Sequence, residues 1–281
     1  MSKATDTRRR QREELRRIRE KELRAERRRR NGFRWAVGGF VAIFVAAVVV
    51  LVIVGDSKIN ESHEYVKGEQ LTPTVLQEDG SLRIDESGAV TESTEETPRR
   101  MDLVFDLHCP ACQMVDENLR STWEDKMDSG ELGVYVHPAA ILDSQSTDDY
   151  SSRAGSALMT VAENSPEHTW SYMEALYDNQ PTEGAGYRPV TDEALAQLAR
   201  DVGVDESTAD AILEEHYVEW MSSNTTALGE TPFYKDDGLY TPGVFLDGTV
   251  EDGVVVNATA VSFNSDIVGD FEGAYAKGEQ Q

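Results

Sequence analysis

The chain has 281 residues, 39% of them hydrophobic, with 52 acidic against 27 basic side chains and a net charge of −25. That length suits one or two domains, and the acidic excess disfavours nucleic acid as a partner. With only two cysteines, Cys109 and Cys112, a disulfide-rich scaffold is excluded and a single redox or ligand pair remains.

The charge is unevenly spread. Residues 1–34 carry 15 Lys/Arg and 6 Asp/Glu, which leaves 12 and 46 for the rest. Residues 35–54 then run for 20 positions without a charge, rich in Val, Ala, Ile and Phe. Such a run is long enough to span a bilayer and lacks the polar stripe of a buried soluble helix. A cleaved signal peptide is the rival, but its apolar region would be shorter, and no small-x-small site follows Val54. We read an uncleaved single-pass anchor in the cell membrane. The basic block orients it by the positive-inside rule, with Phe33 and Trp35 at the interface and residues 55–281 outside the cytoplasm. Residues 8–30 interleave Arg with Glu13, Glu14, Glu20, Glu22 and Glu26, the pattern of a helix on a membrane surface rather than a nucleic-acid arm.

Residues 55–69 are polar and read as a tether. Residues 71–84 hold two short apolar runs around Glu78-Asp79-Gly80, the pattern of a hairpin with Asp-Gly in its turn. Residues 86–100 read as a loop. Residues 101–107 alternate, with Met101, Leu103, Phe105 and Leu107 on one face and Asp102, Val104, Asp106 and His108 on the other.

This strand runs into Cys109-Pro110-Ala111-Cys112, which opens a helix. At a helix N-terminus the unpaired N–H groups and the positive dipole end favour a thiolate, and Pro110 suits the first helical position. Cys109 therefore reads as the attacking sulfur with a lowered pKa. Cys112, one turn deeper and more shielded, reads as the resolving one. His108 is a candidate to stabilise the thiolate, and Asp106 a candidate to move a proton to Cys112. Zinc would need a second ligand pair, and the five histidines are scattered. A static disulfide would close too small a loop to add much stability. Soft Cu(I) on the two thiolates, in a non-catalytic metallochaperone, stays open.

Residues 132–136 give a second strand, closed by His137-Pro138. From 150 to about 224 the pattern is helical, with Ala154, Ala157, Leu158 and Val161 in one stripe and Trp170, Met173, Leu176 and Tyr177 in another. Thr191 caps a third helix carrying Leu195, Leu198 and Val202, ended by Gly203. A fourth contains Ile212, Leu213, Tyr217 and Trp220. These stripes read as core. Thr241-Pro242 starts a strand that ends at Asp247-Gly248, 254–256 is a further strand, and 266–275 a closing helix with Ile267, Phe271 and Tyr275. The acidic clusters at 143–149, 236–237 and 247–252 miss EF-hand spacing and read as solvated charge, so no metal and no cofactor are expected.

Strand, Cys-Pro-x-Cys helix, strand, helical block, then Thr-Pro before a strand: this order resembles the DsbA-like thioredoxin-fold family. The match covers about residues 70–281 and rests on Cys109-Pro110-Ala111-Cys112, on Thr241-Pro242 and on the helical insertion at about 144–228. The resemblance implies an α/β thioredoxin core and a cis Thr241-Pro242 peptide at the substrate-binding position, packed against a redox-active Cys109–Cys112 disulfide. It further implies an enzyme of a bacterial envelope that introduces disulfides into unfolded exported proteins with cysteines and is reoxidised by a membrane quinone-linked partner. Strongly oxidising members carry His where this chain has Ala111. A methyl group cannot stabilise a thiolate, so a weaker oxidant is expected, and isomerase or reductase activity stays open.

Overall fold

The structure, a computed structural model, describes residues 71–93, 97–182, 187–234 and 238–278. The basic segment, the apolar span at 35–54 and the tether lie outside the described residues. Among the described ones no helix is long and apolar enough to cross a membrane.

The strands are β1 (Leu82–Ile84), β2 (Arg99–Phe105), β3 (Leu132–Pro138), β4 (Gly243–Leu246), β5 (Thr249–Glu251), β6 (Val254–Val256) and β7 (Thr259–Ala260). The helices are α1 (Pro110–Asp128), α2 (Tyr150–Asn164), α3 (Thr169–Asp178), α4 (Asp192–Asp201), α5 (Glu206–Ala211), α6 (Val218–Gly229) and α7 (Ile267–Gly278). Five strands form one sheet in the order β1-β3-β2-β4-β7, and β5 and β6 pair as a separate hairpin. β2 is central. It runs parallel to β3 and antiparallel to β4, so Leu103 lies between Val136 and Val244.

One face of the sheet is covered by α1. Cys112, Val115, Leu119, Trp123 and Met127 are buried at spacings of three and four, the stripe that a helix turns toward a core. Trp123 packs edge-on against Trp170 at 6.5 Å and Phe271 at 6.3 Å, which ties α3 and α7 to α1. α2 is buried along almost its whole length and is the hub of the helical block. At Gly155 a Cβ would sit 2.5 Å from Met221 Cε, so glycine is what lets α6 approach α2.

The structure departs from the sequence reading at several places, each for a local reason. Residues 71–79 are not a hairpin limb. The Gln77 N–H bonds Ser81 O at 2.8 Å to close a turn, and β1 takes β3 as its partner. The face of β2 that carries Asp102 and Val104 is covered by a second apolar cluster of Val104, Ala139, Leu228, Tyr234 and Phe245. Asp102 is 0% exposed there and is held by Arg100 and His137. The fourth helix is two, because Ile212–Glu214 tightens to a 3-10 turn and Glu215 takes a left-handed φ of 49°. Glu215 turns to bond Arg153 at 3.1 Å, and Arg153 also binds Asp148 and Asp192. The 143–149 cluster is thus engaged rather than solvated: Asp148 pairs with Arg153, and Asp143 accepts from the Ser152 N–H. Burial pushes the Asp143 carboxyl up to about 6. The edge strand β7 had no counterpart in the sequence reading. Two residues are too few to show a period.

Candidate active site

β2 ends at Phe105 and the chain turns through Asp106, Leu107 and His108 to place Cys109 at the N-cap of α1, with φ −84° and ψ 114°. Pro110 follows at the first helical position and is exposed, and Ala111 is half-buried. The turn is closed by the Cys109 N–H on Asp106 O at 3.0 Å, and the helix starts with the Gln113 N–H on Cys109 O at 3.1 Å. Both cysteines are free thiols, 6% and 3% exposed. The Thr241–Pro242 peptide is cis. The Cys109 thiol donates to the Thr241 carbonyl at 3.6 Å, so the two motifs that are 132 positions apart in sequence meet at one sulfur.

The two thiols differ in acidity. Cys109 is lowered to about 6, chiefly because the Cys112 thiol donates to its sulfur. Burial opposes this. The Thr241 side chain and the backbone at Cys112 and Ala111 add further stabilisation of the anion. Cys112 is pushed well up, by burial first and then by its bond and charge contact with Cys109. One proton thus sits on the inner sulfur while the outer one ionises, the division of labour that thiol–disulfide exchange uses.

The supporting residues are placed differently from their expected roles. The carboxylate of Asp106 accepts from the His108 N–H at 2.8 Å, the Leu142 N–H at 2.9 Å and the Ser151 hydroxyl at 2.7 Å. Burial raises its pKa, but its oxygens are spent on organising the turn and the start of α2 rather than on Cys112. His108 is 0% exposed, edge-on to Tyr150 at 5.4 Å and Tyr187 at 5.5 Å. Neither of its ring nitrogens has a protein partner. It acts as an aromatic filler between the turn and the helical block. A buried imidazole without hydrogen bonds is costly. His108→Phe should therefore raise stability by about 1 kcal/mol in urea denaturation and leave the Cys109 alkylation midpoint in place; a raised midpoint would restore His108 to the site.

Sequence reasoning missed groups that come from loops and carry no motif. Tyr234 presses its hydroxyl against the backbone beside Pro242, so closely that a Cβ at Gly243 would lie 2.1 Å from it. Gln180, beyond the end of α3, donates to Leu107 O at 2.9 Å and Cys109 O at 3.2 Å. Among the described residues no group of three or more His, Cys, Asp or Glu is placed to hold a metal ion.

A family model described as Thioredoxin matches residues 92–259. No curated protein matches the chain. Among solved structures, reduced DsbA from Mycobacterium tuberculosis is 25% identical, with TM-score 0.52, 70% of this chain and 98% of that one being covered. MdbA, a thiol-disulfide oxidoreductase from Corynebacterium diphtheriae, is 20% identical over 76% of this chain and 100% of that one, with TM-score 0.51. BdbD from Bacillus subtilis is 16% identical over 73% and 96%, with TM-score 0.53. The last two are likenesses of fold.

Proposed function

Because the chain belongs to the thioredoxin family, with DsbA-type thiol–disulfide oxidoreductases as its structural neighbours, we propose that it is an extracytoplasmic, membrane-anchored enzyme that introduces disulfides into exported proteins. The observation that carries the reading is the pairing of a thiol lowered to about 6 with a buried, poorly acidic one beside the cis Thr241–Pro242 bond.

In the proposed cycle the enzyme starts with Cys109 and Cys112 bridged. A client thiolate attacks Cys109 Sγ, the Cys109–Cys112 bond breaks, and Cys112 leaves and takes a proton. A second client thiolate then attacks the client sulfur of the mixed disulfide. Cys109 leaves as the thiolate, the client is bridged, and two electrons remain on the enzyme. A membrane quinone-linked oxidase accepts those electrons and restores the bridge. The stabilised Cys109 anion is the better leaving group, which favours this direction. An extended client segment would lie along the backbone at Thr241, where the carbonyl already faces Cys109.

The same chemistry run in reverse makes a reductase or isomerase, and Ala111 favours a less oxidising pair because its side chain, unlike its backbone N–H, offers no donor to the anion. Reduction potential against a glutathione buffer separates the directions. The deciding experiment is Cys112→Ala expressed in the native envelope. Mixed disulfides between Cys109 and exported proteins with several cysteines are expected. Recovery of none, with Cys109 unmodified, would sink the enzyme reading, and stoichiometric tight Cu(I) binding in its place would select the metallochaperone.

A further inference from the structure

We propose that Gln180 is a positioning residue for the Cys109 thiolate, its carboxamide holding the cap turn and adding a donor to the two carbonyls that flank the turn beside the anion. The proposal deepens the thiol–disulfide reading and rests on it for its functional meaning.

The turn that presents Cys109 is packed inside the protein: Leu107 is 1% and His108 0% exposed. Backbone carbonyls in such a place need internal partners. Those on either side of His108, from Leu107 and Cys109, receive the same donor, Gln180 Nε2, at 2.9 and 3.2 Å, the Cys109 carbonyl in addition to the Gln113 N–H at 3.1 Å. Gln180 belongs to the helical insertion, two positions beyond the last residue of α3. A second carboxamide crosses the same seam in the opposite direction. Gln113, on α1 one residue past Cys112, donates from Nε2 to Tyr177 O at 2.9 Å, in the last turn of α3. The two amides clasp the end of α3 to the beginning of α1.

The electrostatic consequence follows from which atoms are clasped. A carbonyl oxygen carries partial negative charge, and that of Cys109 belongs to the same residue as the ionising sulfur. A donor on it withdraws charge from the neighbourhood of the anion, as the helix N–H groups do from the other side. Gln180 is uncharged, so it does this at every pH. It also fixes the N-cap backbone that aims the sulfur at Thr241. None of this depends on which client is attacked.

The test is a substitution series at 180 in the full chain, reduced, with iodoacetamide alkylation of Cys109 followed against pH. Gln180→Leu removes the donor, Gln180→Glu sets an acceptor against two carbonyls, and Gln180→Lys keeps a donor. The expected order of midpoints is Lys at or below Gln, then Leu, then Glu. Alkylation at pH 6, where about half of the wild-type thiol is ionised, should fall about 2- to 5-fold for Leu, the loss of thiolate that a rise of half to one pKa unit gives there, and further for Glu. Thermal melting of each variant is measured alongside. Midpoints that stay at the wild-type value in folded Leu and Glu variants would overturn the proposal. So would midpoints that follow loss of melting temperature whatever the donor, since that pattern belongs to a merely structural clasp. The readout is an acidity and not an oxidation, so it separates from the parent reading. If residue 180 orders the midpoints while no exported protein is ever trapped, the client-oxidation reading fails and the role of Gln180 stands.

Discussion

Alkylation of the reduced protein should reveal one fast thiol, Cys109, with a midpoint near pH 6, and one thiol, Cys112, that stays silent into alkaline pH. The largest contribution to the low midpoint is the Cys112 thiol on the Cys109 sulfur, so Cys112→Ala should shift the midpoint upward. Trapping with that variant will accordingly work best at or above neutral pH. The same asymmetry governs the reduction potential. Below the Cys109 midpoint, reduction takes up two protons for two electrons, and the potential should fall by about 59 mV per pH unit. Above it only Cys112 binds a proton, and the slope should ease to about 30 mV per unit. A slope that stays at the steeper value through pH 8 would mean that Cys109 is an ordinary thiol. Stability obeys the matching sign. A thiol whose folded pKa is depressed stabilises the folded reduced form at pH values above its unfolded pKa, here the ordinary value of 9.0. That stabilisation is lost as pH falls toward 6. The oxidised form has no such group. Cys112, whose pKa is raised, has the opposite sign and takes stability away only above its ordinary value of 9.0. The melting temperature of the reduced protein should therefore rise relative to that of the oxidised one between about pH 6 and 9, and the gain should stop or reverse beyond it.

What could be read without the structure was what short-range physics controls. The strand into Cys109, the proline at the first helical position and the Thr191 cap, whose side chain accepts from the Ala194 N–H, are decided within a few residues. The sites that resisted reading depend on partners far along the chain. Alternation places Asp102 on the face opposite Leu103 and Phe105, but not its burial to 0% exposure, which comes with Arg100 and His137 beside it and with Leu228, Tyr234 and Phe245 on that face from more than 120 positions away. Glu215 breaks a helix whose apolar spacing continues, and its carboxylate pairs with Arg153 on α2. His108 and Asp106 have the right chemistry beside a reactive cysteine, yet the helical block claims both, one as packing and one as a hydrogen-bond acceptor. Gln180 has no sequence signature at all. A glutamine in a loop is ordinary until the fold brings it to two carbonyls.

Arg100→Met should produce the largest loss of stability among the buried polar groups and leave the active site untouched. Arg100 lies over the Tyr135 ring at 3.6 Å and binds Asp102 through Nε at 2.8 Å and Nη2 at 2.6 Å, with Asp79 on the same nitrogen. The side chains of Asp79 and Asp102 are 2% and 0% exposed. Burial opposes ionisation of Asp79, yet His137, Ser81 and Arg100 outweigh it and hold its carboxyl below the ordinary range. Removing the guanidinium leaves two buried carboxylates, Asp102 with His137 at 2.9 Å and Asp79 with the Ser81 N–H and hydroxyl at 3.0 and 2.6 Å. Breaking such a cluster costs about 3–5 kcal/mol, a large part of the 5–15 kcal/mol that holds a typical domain together. With the guanidinium gone, burial, already the largest influence on Asp79, would push its carboxyl upward. A group raised in this way favours the folded state at low pH and loses that contribution as pH rises through the folded pKa. The deficit against wild type should therefore be larger at pH 7 than at pH 5, and Arg100→Met with Asp102→Asn should recover part of it. Arg100 is five residues before the end of β2, which at about 3.3 Å per residue puts it roughly 17 Å from the turn. The Cys109 midpoint should accordingly stay near 6 in the folded variant. A midpoint that moved with Arg100 would show that the far end of the central strand also sets the acidity of the sulfur.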